Sequence, residues 1–88
     1  MAPEDFNANG WVIVGRHVRP CRFCEMTKNL LDACGFNYTF LSYDNHPIFK
    51  KFLSEQGLTT VPQIYHQGKR VGGYDQLGAY IASLEGVA

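Results

Sequence analysis

Two cysteines three residues apart, Cys21 and Cys24, stand between a short apolar run, Trp11-Val12-Ile13-Val14, and a stretch from Arg22 to Cys34 that holds neither glycine nor proline. This juxtaposition restricts the fold severely. A strand must end, a loop must present the first thiol, and a helix must begin directly behind it. The apolar run is short, continuous and closed by Gly15, which predicts a strand buried on both faces of a partly parallel sheet. Arg16 to Pro20 is then the presenting loop. Beyond it, Phe23, Met26, Thr27, Leu30, Leu31 and Cys34 recur at helical spacing on one side, and Gly35 supplies the stop. Two thiols at this spacing make a redox or a metal site; the bland alternative is a pair of small buried apolar residues.

The helix start gives the first thiol its chemistry. The leading N–H groups of a helix have no intrahelical partner, and the macrodipole places about half a positive charge there, so an anion is stabilised. Cys21 occupies that position, with Arg16, Arg19 and Arg22 adding cationic charge around it. A thiol in such surroundings titrates between about 3.5 and 7.5 instead of near 8.5, and its thiolate attacks disulfides. Cys24 lies one turn deeper, placed to resolve a mixed disulfide formed on Cys21. Cys34 is ten residues further along the helix, about 15 Å away. That exceeds the roughly 7 Å limit for a disulfide. Core filler and a regulatory or glutathionylated thiol are the two roles open to it.

Along the rest of the chain, Asn37-Tyr38-Thr39-Phe40-Leu41-Ser42 reads as a second strand, reached through a helical crossover and therefore parallel to the first. Asn45-His46-Pro47 offers a capping residue and an early proline for a second helix, with Ile48, Phe49, Phe52 and Leu53 as its apolar face, Lys50, Lys51 and Glu55 toward solvent, and Gly57 at its end. Gln63-Ile64-Tyr65-His66 and Lys69-Arg70-Val71-Gly72 flank Gln67-Gly68, a signal for a two-residue hairpin. Asp75 is the predicted cap of a last helix carrying Leu77, Tyr80, Ile81 and Leu84. The order is β-α-β-α-β-β-α.

The chain of 88 residues is expected to form one domain over residues 11–88, after a loose leader over residues 1–10. Eight basic and eight acidic residues cancel, and no long basic run exists, so neither nucleic acid nor a charged membrane surface is an expected partner. No apolar run approaches the roughly 20 residues that span a bilayer. Three cysteines make no complete disulfide framework, and Met1-Ala2-Pro3-Glu4-Asp5 has neither the basic nor the apolar region of a signal peptide; a cytoplasmic location follows as the expectation. One Cys-x-x-Cys falls short of a four-ligand zinc site, and His17, His46 and His66, without ligand spacing, are expected to be solvated.

Cys21-x-x-Cys24, Thr60-Val61-Pro62 ahead of a hairpin, and Gly72-Gly73-Tyr74-Asp75 occur in an order and at separations that resemble the glutaredoxins, over Trp11 to about Leu84. Short bacterial and phage members look nearest. The resemblance implies an α/β, thioredoxin-like fold with a mixed four-stranded central sheet. It implies a cis peptide bond at Pro62, pairing of the Val61 backbone with the cysteinyl part of glutathione, close backbone approach at Gly72 and Gly73, and N–H groups of Tyr74 and Asp75 that hold the γ-glutamyl carboxylate. Phe23 is placed with this substrate-binding set.

Three positions depart from the family pattern. Arg22-Phe23 stands where Pro-Tyr is common. Val18 replaces a basic residue, which leaves Arg16 or Arg19 to contact the glycyl carboxylate. Gln76 replaces an aspartate that would face the γ-glutamyl ammonium group. The implied activity is glutathione-dependent thiol–disulfide oxidoreduction by a monomer with no tightly bound cofactor, glutathione acting as co-substrate. Protein disulfides are the implied partners, and ribonucleotide reductase is a suggested electron acceptor. The alternatives are a redoxin reduced by thioredoxin reductase and an iron–sulfur carrier that shares a cluster between two Cys21 thiolates and two glutathiones.

Overall fold

The computed structural model describes residues 10–17 and 21–85. Nearly all of the expected leader, residues 1–9, and Val18, Arg19 and Pro20 of the presenting loop lie outside the described residues. Seven elements follow in the expected order: β1 (Trp11–Gly15), α1 (Arg22–Ala33), β2 (Tyr38–Ser42), α2 (Pro47–Glu55), β3 (Gln63–His66), β4 (Lys69–Gly72) and α3 (Tyr74–Glu85). The sheet runs β2-β1-β3-β4. β1 pairs in parallel with β2, from Trp11 opposite Tyr38 to Gly15 opposite Ser42, and antiparallel with β3. A central strand with neighbours on both sides and helices on both faces has no wet surface, and all five residues of β1 are buried.

Alternation along β1 divides the core between the two faces of the sheet. Trp11 and Ile13, with Ile64 of β3, pack against Leu31 of α1 and against Leu77 and Ile81 of α3. Val12 and Val14, with Tyr65, pack against Leu53 of α2, helped by Phe49 and Phe52. The β3–β4 hairpin turns through Gln67 (φ 54°) and Gly68 (φ 79°). Two positive φ values match the turn whose twist suits antiparallel strands.

Several helix expectations need correction. Phe23, Ile48 and Leu84 were predicted to face the core, yet they are 50%, 53% and 45% exposed. Phe23 and Ile48 are the second residues of α1 and α2, Leu84 is the last but one of α3, and a helix end has fewer neighbours to cover it than a helix middle. His46 occupies the cap position of α2 and makes no side-chain cap bond, while Pro47 fills the first helical turn, where a missing N–H is harmless. α3 starts at Tyr74, before Asp75, because the Gly73 carbonyl already accepts the Leu77 N–H at 3.0 Å; Asp75 lies within the first turn instead of capping it.

His66 also departs from expectation. It is partly buried, its ring stacks on Trp11 with centroids 4.1 Å apart, and its Nδ1 shares a hydrogen bond of 2.7 Å with the Tyr80 hydroxyl. Burial lowers its pKa from the ordinary 6.5. Below about pH 6.5 the unfolded chain takes up a proton that folded His66 refuses, so the stability held above that pH is lost as pH falls toward the lowered folded value, and then levels off. Urea unfolding between pH 7.5 and 5 should show this loss, and His66→Gln should flatten it; equal slopes for the two proteins would remove His66 as the cause.

Candidate active site

Cys21 is the N-cap residue of α1, with extended backbone (φ −137°, ψ 98°), so its side chain turns over the open end of the helix. Its Sγ accepts the Cys24 N–H at 3.2 Å. Cys21 and Cys24 are joined as a disulfide with Cα atoms 5.2 Å apart. Cys21 keeps 7% of its surface and Cys24 none. The sulfur nearer solvent is therefore the one that meets an orphan helix N–H, and in the dithiol state that N–H and the helix dipole favour a thiolate on Cys21. Cys24 can be reached from Cys21 and is closed to solvent. Cys34, the free thiol, is partly buried against the Trp11–Leu31 cluster at the far end of α1 and takes no part in this arrangement.

Beneath the pair, β1 has to end in glycine. A Cβ on Gly15 would lie 2.8 Å from Cys24 Sγ, closer than real Cβ atoms come, and a tight 3.1 Å from two carbons of the Phe40 ring. The loop that follows is tied to the end of β2: the His17 N–H donates to both oxygens of Asp44, each at 3.2 Å, and the Ser42 hydroxyl also bonds Asp44.

A cleft of about 470 Å³ opens between the first turn of α1, the approach to β3 and the start of α3. Phe23 forms one wall, its ring 6.0 Å from that of Tyr74. Val61 and Pro62 form the floor, joined by the expected cis peptide bond. Gly73, Tyr74, Asp75 and Gln76 close the other side. Most of the substrate-binding residues expected from sequence are thus brought together. Gly72 is one that does not line the cleft: it is buried with φ +126°, a conformation open to glycine, and a Cβ there would strike the Gln76 side chain at 2.9 Å. Gln76 is already engaged, its Oε1 accepting the Gly73 N–H at 2.9 Å, the reach-back half of a capping box.

Arg16, partly buried just after β1, is not among the residues lining this cleft, and Arg19 lies outside the described residues. The cation that does line it is Arg70 of β4, which sequence reasoning missed along with Thr60 and Gln63. Gln63 is 2% exposed, donates from its amide nitrogen to the Thr60 carbonyl at 3.0 Å, and accepts Arg70 Nε at 3.0 Å. The residue after Pro62 in a strand of alternating faces was a usable signal for Gln63. Arg70 had none: it stands opposite Tyr65 in the regular register of the hairpin and reaches diagonally to Gln63, a side-chain contact that no local pattern records.

The glutaredoxin family model matches residues 12–71. Glutaredoxin 3 of Escherichia coli K12 is 33% identical over 60 residues, which cover 67% of this chain and 72% of that protein. The hybrid peroxiredoxin hyPrx5 of Haemophilus influenzae is 34% identical over 62 residues, 70% of this chain; the chain spans only 26% of that relative's length. Among solved structures, a buckwheat glutaredoxin–glutathione complex superposes with a TM-score of 0.71 at 26% identity, over 91% of this chain and 73% of that one.

The contact beneath the cysteines can be tested directly. Gly15→Ala should cost about 1–3 kcal/mol through overpacking against Cys24 and Phe40. At about 4–8 °C per kcal/mol for a domain of this size, the melting temperature should fall by at least several degrees. An unchanged melting temperature would show that the Cys24 sulfur yields freely.

Proposed function

The chain belongs to the glutaredoxin family and is a thiol–disulfide oxidoreductase, and on that premise we propose that it takes its electrons from glutathione and acts on glutathione mixed disulfides and protein disulfides. The observation that carries this reading is the pairing of a helix-capping Cys21 over a sealed Cys24 with a neighbouring cleft that has the Val61–Pro62 backbone on one side and the first turn of α3 on the other. Such a cleft suits a short peptide thiol: extended backbone for its middle, and a helix start for an anionic end.

With a glutathione mixed disulfide, the Cys21 thiolate attacks the glutathionyl sulfur. The old S–S bond breaks, the substrate thiolate leaves and takes a proton from water, and Cys21 carries the glutathionyl group. A second glutathione thiolate attacks that sulfur, releases Cys21 as the thiolate and departs as glutathione disulfide. With a protein disulfide, Cys21 first forms a mixed disulfide with the substrate. Cys24 then loses its proton, attacks Cys21 Sγ and expels the second substrate thiolate, leaving the Cys21–Cys24 disulfide. Two glutathiones restore the dithiol. Cys24 is held one helical turn from Cys21 and shielded from solvent, which favours this intramolecular step over attack by outside oxidants. In this reading the Tyr74 and Asp75 N–H groups hold the γ-glutamyl carboxylate, and the Val61 backbone pairs with the cysteinyl unit. Ribonucleotide reductase belongs to the same proposal as one protein disulfide within reach of this chemistry.

The test is turnover of a glutathionylated peptide coupled to glutathione reductase, beside the same reaction coupled to thioredoxin reductase. Turnover should require glutathione. Cys21→Ser should lose activity by at least 100-fold, on the order expected for deletion of a nucleophile. Cys24→Ser should keep deglutathionylation within a few-fold of the parent and lose reduction of protein disulfides. Turnover sustained only by thioredoxin reductase would replace glutathione as the reductant, and substantial activity in Cys21→Ser would overturn the assignment of the nucleophile.

A further inference from the structure

We propose that Arg70 is a specificity-determining residue, the cation that reads the α-carboxylate at the γ-glutamyl end of the thiol substrate; this rests on the glutathione reading above. Three features of the cleft lead to it. Arg70, on the strand that runs into α3, lines the same cleft as Gly73, Tyr74, Asp75 and Gln76 and is the one cation among its lining residues. Its orientation is built: Nε is tied to Gln63 Oε1, and Gln63, nearly fully buried, is held in turn by the Thr60 carbonyl. Anchoring through Nε leaves the two terminal nitrogens of the planar guanidinium available as paired donors, the geometry that suits a carboxylate. Among the described residues, no carboxylate pairs with it.

The neighbouring charges point the same way. Asp75 is the one acid lining the cleft, and it is exposed in the first turn of α3. Gln76 brings no charge, and its carbonyl oxygen is used on the Gly73 N–H. A γ-glutamyl group in this cleft has a helix start and a guanidinium among its neighbours, against a single solvated acid for its ammonium group. Carboxylate recognition dominates at this end. Gln63 is the positioning residue, acting through Arg70.

The experiment uses three mixed disulfides of one cysteinyl peptide: with glutathione, with glutaryl-Cys-Gly, which keeps the carboxylate and lacks the amine, and with 4-aminobutyryl-Cys-Gly, which keeps the amine and lacks the carboxylate. Peptide release is followed by chromatography at fixed glutathione. Because Arg70 is exposed and its pairing is screened, Arg70→Gln should raise KM by about two- to fivefold for the first two substrates, with kcat little changed, and should leave the third unaffected. Arg70→Lys should fall between parent and Arg70→Gln for the first two, since it keeps the charge and loses the anchored fork. The parent's KM for glutathione substrates should also rise with salt more steeply than that of Arg70→Gln.

Equal KM changes for all three substrates would make Arg70 a structural residue, and no change for any would overturn the proposal; a failure confined to the variants leaves the glutathione reading intact. A parent protein that ignores all three disulfides while reducing other peptide disulfides would overturn the glutathione reading and the role of Arg70 with it. Should Arg70→Gln lower the melting temperature, the comparison of Arg70→Lys across the three substrates decides on its own.

Discussion

The site is organised by the bond from the Cys24 N–H to Cys21 Sγ at the open end of α1. A helix that begins at the first cysteine puts one sulfur over the dipole and sends the other inward one turn later, so the two thiols acquire opposite exposures from a single backbone geometry. That geometry needs a floor. Gly15 supplies it by leaving room for the Cys24 sulfur, and the surrounding β1 residues are buried by neighbouring strands and by helices on both faces. The most buried strand of the sheet and the reactive thiol are thus consecutive parts of one construction: rigidity in the first fixes the position of the second.

The cleft beside the cysteines has a different origin. Its walls come from separate stretches of the chain: α1, the approach to β3, β4 and α3 each contribute. Two hydrogen-bonded units give it shape. One closes the start of α3, where Gln76 reaches back to the Gly73 N–H over a Gly72 that no other residue could replace without a clash. The other runs from the Thr60 carbonyl through Gln63 to Arg70, and converts a long, exposed side chain into an oriented donor. Burial of Gln63 without these partners would leave polar atoms unsatisfied, so the same bonds that orient the arginine also permit the glutamine to sit inside.

His66 shows how far such coupling extends from the site. At the other end of β3, it is sandwiched by Trp11 and bonded to Tyr80 of α3, linking the sheet to the helix whose first turn closes the cleft. Its lowered pKa follows from that burial.

What the sequence determined by itself was everything that depends on neighbours along the chain. Element order, the placement of Cys21 and Cys24 at a helix start and the hairpin at Gln67-Gly68 were legible because caps, turn residues and short periodicities act over a few positions and tertiary packing agreed with them, whereas the gathering of Phe23, Val61, Pro62 and the Gly73–Gln76 turn was implied only by the resemblance to the glutaredoxins. The same thioredoxin-like sheet emerges from the coordinates, β2-β1-β3-β4. Only the tertiary structure decided the rest. Whether Phe23 and Ile48, each the second residue of its helix, face the core depends on what packs over the helix end, which periodicity does not contain. The solvated reading of His66 failed because Trp11 and Tyr80 come from elements far away in the chain. Which cation faces the cleft was decided by side chains meeting across two strands: Arg70, opposite Tyr65, reaches diagonally to a buried Gln63 held by Thr60, and no local pattern in Lys69-Arg70-Val71 records that bond.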